Sequence, residues 1–172
     1  IKYDTYKQQK RGGSGVKTIT TKDDDSVRHV FNCNTHDQIL FFSNLGKVYS
    51  LQVYDIPEYS RTAKGIPLVN LININQGELI TSVLTRSSDG NIIDEDVDQE
   101  DQEKTENKGK LYKYLFMATK KGIVKKTEIS QFENIRSNGI IALSLIPNDE
   151  LIWVKPTTGD SEAIIVTKNA KS

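Results

Sequence analysis

Apolar residues along this chain come in short bursts separated by polar turns. QILFFS (38–43), KVYSLQV (47–53), YLFMAT (114–119), GIVKK (122–126), LIWV (151–154) and AIIVT (163–167) are brief and rich in β-branched and aromatic residues. VRHVFNC (27–33), LVNLI (68–72) and IIALSLI (140–146) have the same character. Side chains of this kind suit a pleated, half-buried surface. No long segment carries a clean 3.6-residue period, so helices are not expected. The pattern predicts an all-β protein.

The bursts repeat. ILFFSNLGKV (39–48) aligns with LFMATKKGIV (115–124) when Gly46 is set on Gly122. Each reads as strand, polar turn ending in glycine, and strand, which is a hairpin whose glycine supplies a positive φ. SRTAKGIP (60–67) matches IRSNGI (135–140) through Arg61 with Arg136 and Gly65 with Gly139, and KRGGSGV (10–16) carries the element a third time. An acidic turn and a further strand follow, in GELI (77–80) and then DELI (149–152). A repeat of about 45–50 residues holding four short strands suits a propeller blade, a small sheet that buries its faces against its neighbours. The expected architecture is the end of one blade, two full blades and the start of a fourth, all part of one domain over 1–172. Such a count makes a partial ring.

Charge sharpens this picture. The 172 residues carry 23 basic and 23 acidic side chains, but eight of the acids lie in DEDVDQEDQEKTE (94–106) beside a single lysine. The remainder holds 22 basic and 15 acidic residues, a net charge of +7, as expected of a surface that meets phosphates. Residues 87–109 read as an acidic, disordered insertion between blades. Its alternating Asp94, Asp96 and Asp98 do not make a calcium loop, because Gln99 and Thr105 stand where glycine and glutamate are required. No run of apolar residues approaches the roughly 18 needed to span a membrane. Cys33 is the one cysteine, which excludes an internal disulfide and fits a reducing compartment.

The candidate chemistry is binding rather than catalysis. Gln9-Lys10-Arg11-Gly12-Gly13-Ser14-Gly15 places two cations beside glycines whose backbone can come close to a partner and whose amides can cradle an anion. It lacks the Gly-Lys-Ser/Thr ending of a nucleotide-binding loop. Arg61 with Lys64, and then Arg136, recur at the equivalent positions, and Lys47, Lys120 and Lys121 stand at the hairpin turns. Lys125 and Lys126 are explained equally well as lysines guarding a strand edge against aggregation. No nucleophile motif, metal-ligand spacing or nucleotide fingerprint is visible.

QKRGGSG (9–15) resembles the signature box of the C-terminal domain of the DNA gyrase A family, usually Q-R-R-G-G-K-G. Residues 34–71 and YLFMATKKGIVKK (114–126) resemble that family's blades over long stretches. The resemblance implies a β-pinwheel, a propeller-like ring of four-stranded blades with strands exchanged between neighbours. It also implies double-stranded DNA wrapped around a basic rim through the box, in support of ATP-dependent negative supercoiling. The box residues so implicated are Gln9, Lys10, Arg11, Gly12, Gly13 and Gly15; Lys10 and Ser14 depart from the pattern, the second by losing a charge. The partners implied are the remainder of gyrase A, together with gyrase B, in an A2B2 heterotetramer. The compartment implied is the cytoplasm at the nucleoid, or an organelle of bacterial ancestry. The catalytic tyrosine, ATP and Mg2+ belong elsewhere in that assembly, so this chain is expected to hold no cofactor and to be inert alone. Two alternatives stand beside this reading. One is a topoisomerase IV-type domain serving decatenation; the other is a propeller that binds protein partners.

Overall fold

The computed structural model describes residues 29–60, 63–93, 111–160 and 162. Among these the regular elements are eight strands and short 3-10 turns, with no α-helix. The strands are β1 (Gln38–Ser43), β2 (Lys47–Gln52), β3 (Ile80–Arg86), β4 (Ile92–Ile93), β5 (Tyr114–Thr119), β6 (Val124–Glu128), β7 (Ile140–Ile141) and β8 (Leu151–Thr157). They form a five-stranded sheet, β4-β3-β1-β2-β7, and a three-stranded sheet, β6-β5-β8. All pairings are antiparallel.

The predicted hairpins are present. β1 and β2 turn at Gly46 (φ 74°), β5 and β6 at Gly122 (φ 84°). β3 and β8 add to the far side of the central strands, each with a register shift at its first residue, Ser43 facing Ile80 and Thr119 facing Leu151. That shift fixes the equivalence of the acidic turns one residue away from the GELI/DELI match: Glu78 corresponds to Asp149, and Gly77 (φ 80°) to Asn148 (φ 59°).

The blades are not closed four-stranded sheets among the described residues. β7 lies in the second repeat by sequence, yet it pairs with β2 of the first, Lys47 with Ile141 and Val48 with Ile140. A strand is thus exchanged between neighbours. Three expected strands differ. Residues 29–33 lie outside regular structure, 68–70 form a 3-10 turn, and only Ile140–Ile141 of 140–146 is extended. In the last two, Leu68, Leu71, Ala142 and Leu143 serve as packing points, which short apolar bursts do not distinguish from strands. The first residues of the expected insertion, 87–93, form a turn and β4 against β3. Residues 94–110 and the expected strand at 163–167 lie outside the described residues.

Packing explains the sequence of β1. Leu40 and Phe42 face one core, and Ile39 and Phe41 face another. A strand buried on both faces reads as a continuous apolar run rather than an alternating one. The first core is the interface between the repeats. Leu40, Phe42, Val48 and Leu84 of the first sheet meet Leu115, Met117, Ile129, Phe132, Ala142 and Leu143 of the second repeat. Phe132 sets its ring edge-on to Phe42 at 6.1 Å, a favoured aromatic geometry. In the second core, Ile39, Phe41, Tyr49 and Leu51 are covered by Val53, Ile56, Leu68, Leu71 and Ile72 of their own repeat. Backbone bonds tie the repeats together: Gly46 C=O accepts from the amides of Ala142 and Leu143, and Asn44 C=O from that of Leu151.

Candidate nucleic-acid interface

The exchanged strand brings predicted cations from different repeats to one sheet edge. Arg136 and Gly139 close a tight turn, the Gly139 amide donating to Arg136 C=O at 2.8 Å, and this turn feeds directly into β7. Arg136 is exposed. β7 then runs beside Lys47, the first residue of β2. In sequence Arg136 belongs with the loop cations and Lys47 with the hairpin cations; strand exchange brings both to the β2–β7 junction, Lys47 paired with Ile141 and the Arg136 turn leading into Ile140 opposite Val48.

Beneath the turn lies Tyr49, 1% exposed. A Cβ on Gly139 would come within 2.8 Å of the Tyr49 ring and 2.9 Å of Val48 C=O. Glycine is therefore required there for space as well as for its φ of 72°. Lys47 Nζ sits 5.9 Å from the Tyr49 ring centroid, at the limit of a cation–π contact. The phenol donates to Glu78 Oε2 at 2.9 Å, and Asn75 donates to the same oxygen from its amide at 3.0 Å and from Nδ2 at 2.9 Å. Burial opposes ionisation of Glu78, but bonds from Ser43, Asn75 and Tyr49 outweigh it and hold the carboxyl below its ordinary value. Burial, with the Glu78 bond and charge, pushes Tyr49 up to about 12. Asn73 Nδ2 reaches Ser137 C=O at 3.5 Å. The first repeat thus supplies a floor and a side contact for the second repeat's cationic turn. Nothing in the sequence alone points to Tyr49 or Asn73, and the recurring acidic turn marks Glu78 without naming its partner. The available signal is the recurrent glycine at 65 and 139, which marks a close approach without saying to what.

The second repeat carries a related acid, and its turn lysines are partly occupied. Burial acts on Asp149 against bonds from Thr119 and from the amides of Lys121 and Glu150, and the net effect lowers its carboxyl. The Ser43 and Thr119 hydroxyls also accept from the amides of Lys47 and Ile123, so each hairpin turn is latched to the acidic turn before the next strand. Lys120 pairs with Glu150 at 3.4 Å, an exposed contact worth little. Lys121 Nζ donates to Pro147 C=O at 2.7 Å. Lys125 Nζ donates to Ala142 C=O at 2.8 Å, and Lys126 Nζ lies 4.8 Å over the Tyr114 ring. These contacts direct the ammonium groups. Arg86, half-buried, bonds to Gly90 C=O and Glu133 and serves the fold. Lys64 is exposed just before Gly65 (φ 74°). Arg61 and the box residues Gln9, Lys10, Arg11, Gly12, Gly13 and Gly15 lie outside the described residues.

Among the described residues no group of three or more His, Cys, Asp or Glu is placed to hold a metal ion. No helix among them is long and apolar enough to cross a membrane.

This arrangement of sheets has known counterparts. The C-terminal domain of DNA topoisomerase IV superposes with a TM-score of 0.64 at 24% identity, covering 83% of this chain and 38% of that one. The DNA gyrase A C-terminal domain superposes at 0.57, again with 24% identity, covering 91% of this chain and 43% of that one. These likenesses establish the fold. Sequence relatives reach further. The DNA gyrase A protein of Halalkalibacterium halodurans is 44% identical over 164 residues, and that of Streptococcus pneumoniae serotype 4 is 45% identical over 165. The matches cover 95% and 96% of this chain but only 17% and 18% of those proteins, so the chain spans under a fifth of their length. The family model for the DNA gyrase C-terminal domain, beta-propeller, matches residues 2–34, 37–86 and 113–158, and the chain belongs to that family.

Proposed function

We propose that this chain binds double-stranded DNA without sequence preference, through its phosphates, and bends it around a basic rim. The carrying observation is the junction of repeats, where Lys47 pairs with Ile141 of β7 and the exposed Arg136 turn leads into that same strand. The box at 9–15 repeats the same loop element with more glycine and charge. Contacts of this kind position a duplex by its backbone, and bending is the energetic cost that more contacts offset. In the gyrase setting the wrap presents a second segment of the same DNA for strand passage, supporting ATP-dependent negative supercoiling. The chain itself is non-catalytic in this reading. Catalysis, ATP and Mg2+ belong to the remainder of gyrase A and to gyrase B, in an A2B2 assembly in the cytoplasm. Within the chain, the acidic run 94–106 interrupts the sequence of one continuous domain. The topoisomerase IV likeness keeps a decatenating domain as the alternative; the intact Arg11-Gly12-Gly13 core of the box favours supercoiling.

The test is binding to a long duplex, roughly 100 base pairs, and to a short one across a salt series. Steep salt dependence with preference for the long duplex supports wrapping. Shallow dependence without length preference favours a protein-binding propeller. Arg11→Ala should weaken binding to all sequences and flatten the salt slope by about 0.9, the signature of one lost phosphate contact. An unchanged slope removes Arg11 from the contact surface.

A further inference from the structure

Tyr49 stands apart from the other large core residues of its sheet. It is buried at a sheet edge, its hydroxyl is spoken for by a buried carboxylate, and its ring touches a glycine of the next repeat. The corresponding residue of the second repeat is Lys125, exposed, with no turn of a further repeat against it among the described residues. A core residue that only filled space would not need a hydroxyl pinned by Glu78, nor a neighbour without a side chain.

We propose that Tyr49 is a positioning residue that seats the Arg136–Gly139 turn, so that Lys47 and Arg136, from two different repeats, form one phosphate-binding site at their junction. Three constraints act together. The turn is closed by the Gly139 amide on Arg136 C=O. Gly139 meets the Tyr49 ring, leaving no room for a Cβ. Asn73 holds Ser137 C=O from the side. The Tyr49 ring is anchored, because Glu78 holds its phenol from below and Asn75 in turn holds Glu78. Arg136 is left exposed on a turn whose backbone is set, and its guanidinium can fork onto a phosphodiester. Lys47, paired with Ile141 of β7, adds a second cation over the same tyrosine. At this junction the contact to DNA then falls between two repeats instead of at the centre of a blade. This inference rests on the DNA-binding reading above.

The experiment uses the full-length protein carrying this segment and a duplex of about 100 base pairs, with binding measured against salt. Arg136→Ala should flatten the slope of log K against log salt by about 0.9. Tyr49→Leu, which keeps an apolar core but removes the floor, and Gly139→Ala, which forces the turn away, should each flatten it equally. Neither should add anything in the Arg136→Ala background, because the contact is already lost. Tyr49→Phe keeps the ring under Gly139 but frees it from Glu78, and should flatten the slope less than Tyr49→Leu does. A merely structural Tyr49 would lower the unfolding midpoint and leave the slope alone. If Tyr49→Leu or Gly139→Ala does not fold, Asn73→Ala reads the same coupling from outside the core. The proposal is overturned by folded variants that keep the parent slope, or by losses that add to that of Arg136→Ala. A shallow slope in the parent protein sinks the DNA reading itself, a different outcome from a steep slope insensitive to Tyr49.

Discussion

The two sheets descend from one sequence pattern but sit in different surroundings. In the first, Leu40, Phe42 and Val48 are fully buried, because the second repeat lies on that face. Their counterparts in the second sheet are Phe116, Ala118 and Val124, and Val124 is 46% exposed beside Trp153 at 41%. The edges differ in the same sense. β2 is closed by β7, whereas β6 has no partner beyond β5 among the described residues. Gly46 is pressed against the Leu143 carbonyl, and Gly122 has nothing near it. A repeat therefore holds half of the core between repeats and leaves an edge of its sheet open, and its successor completes both. The largest effect should expose this asymmetry. In this chain Leu40→Ala should cost about 2–5 kcal/mol, the usual range for a buried leucine. Phe116→Ala at the matching position should cost about 1 kcal/mol. Urea unfolding of the two variants decides; equal losses would mean that the open face is covered.

The turn glycines give a finer version of the same contrast. Both need positive φ, so alanine at either position strains the backbone by about 1 kcal/mol. At Gly46 the added methyl also meets a backbone carbonyl that cannot move aside. Gly46→Ala should therefore lose about 1–3 kcal/mol more than Gly122→Ala. Matching thermal midpoints for the two would show that the Gly46 contact relaxes without cost.

How much of this could be read from the chain depends on the range of the interaction. The hairpins at Gly46 and Gly122 were legible, because strand, turn and strand are local and glycine marks the positive φ. The family was legible from its box and its blades. The course of 140–146 was not: Ile140 and Ile141 pair with Lys47 and Val48, far away in sequence, and nothing in their composition names that partner. LVNLI failed as a strand for a related reason. Leu68 and Leu71 face the Ile39–Phe41 side of the first sheet from a 3-10 turn, and an apolar burst looks the same in either role. The recurrent arginines were visible, but the tyrosine that seats one of them was not.

A smaller effect separates the two acidic turns. Glu78 and Asp149 are both held below the ordinary carboxylate value, so each adds stability above its unfolded-state pKa of about 4. That stability is lost as pH falls through the lower, folded-state values. Urea midpoints should fall on acidification from about pH 6 to pH 3, and Glu78→Gln and Asp149→Asn should each flatten the decline. Glu78→Gln should flatten it more, since Tyr49 and both Asn75 donors converge on Glu78. A decline unaltered in both variants would assign the acid sensitivity to other groups.

The smallest effect concerns the segment that separates the repeats in sequence. The repeats pack face to face through their own residues, so removing 94–106 should leave the unfolding midpoint unchanged. Its effect should appear in binding. The segment carries eight acids and one lysine, against a net charge of +7 on the rest of the chain. A tethered polyanion of that sign competes with phosphates for the same cations, most strongly where screening is weak. At low salt the Debye length is about 30 Å at 0.01 M, against about 8 Å at physiological strength. Deletion should therefore tighten DNA binding at low salt, with the gain fading as salt rises. Equal affinity with and without the segment at every salt concentration would make it a passive connection, and the junction cations would then answer to DNA alone.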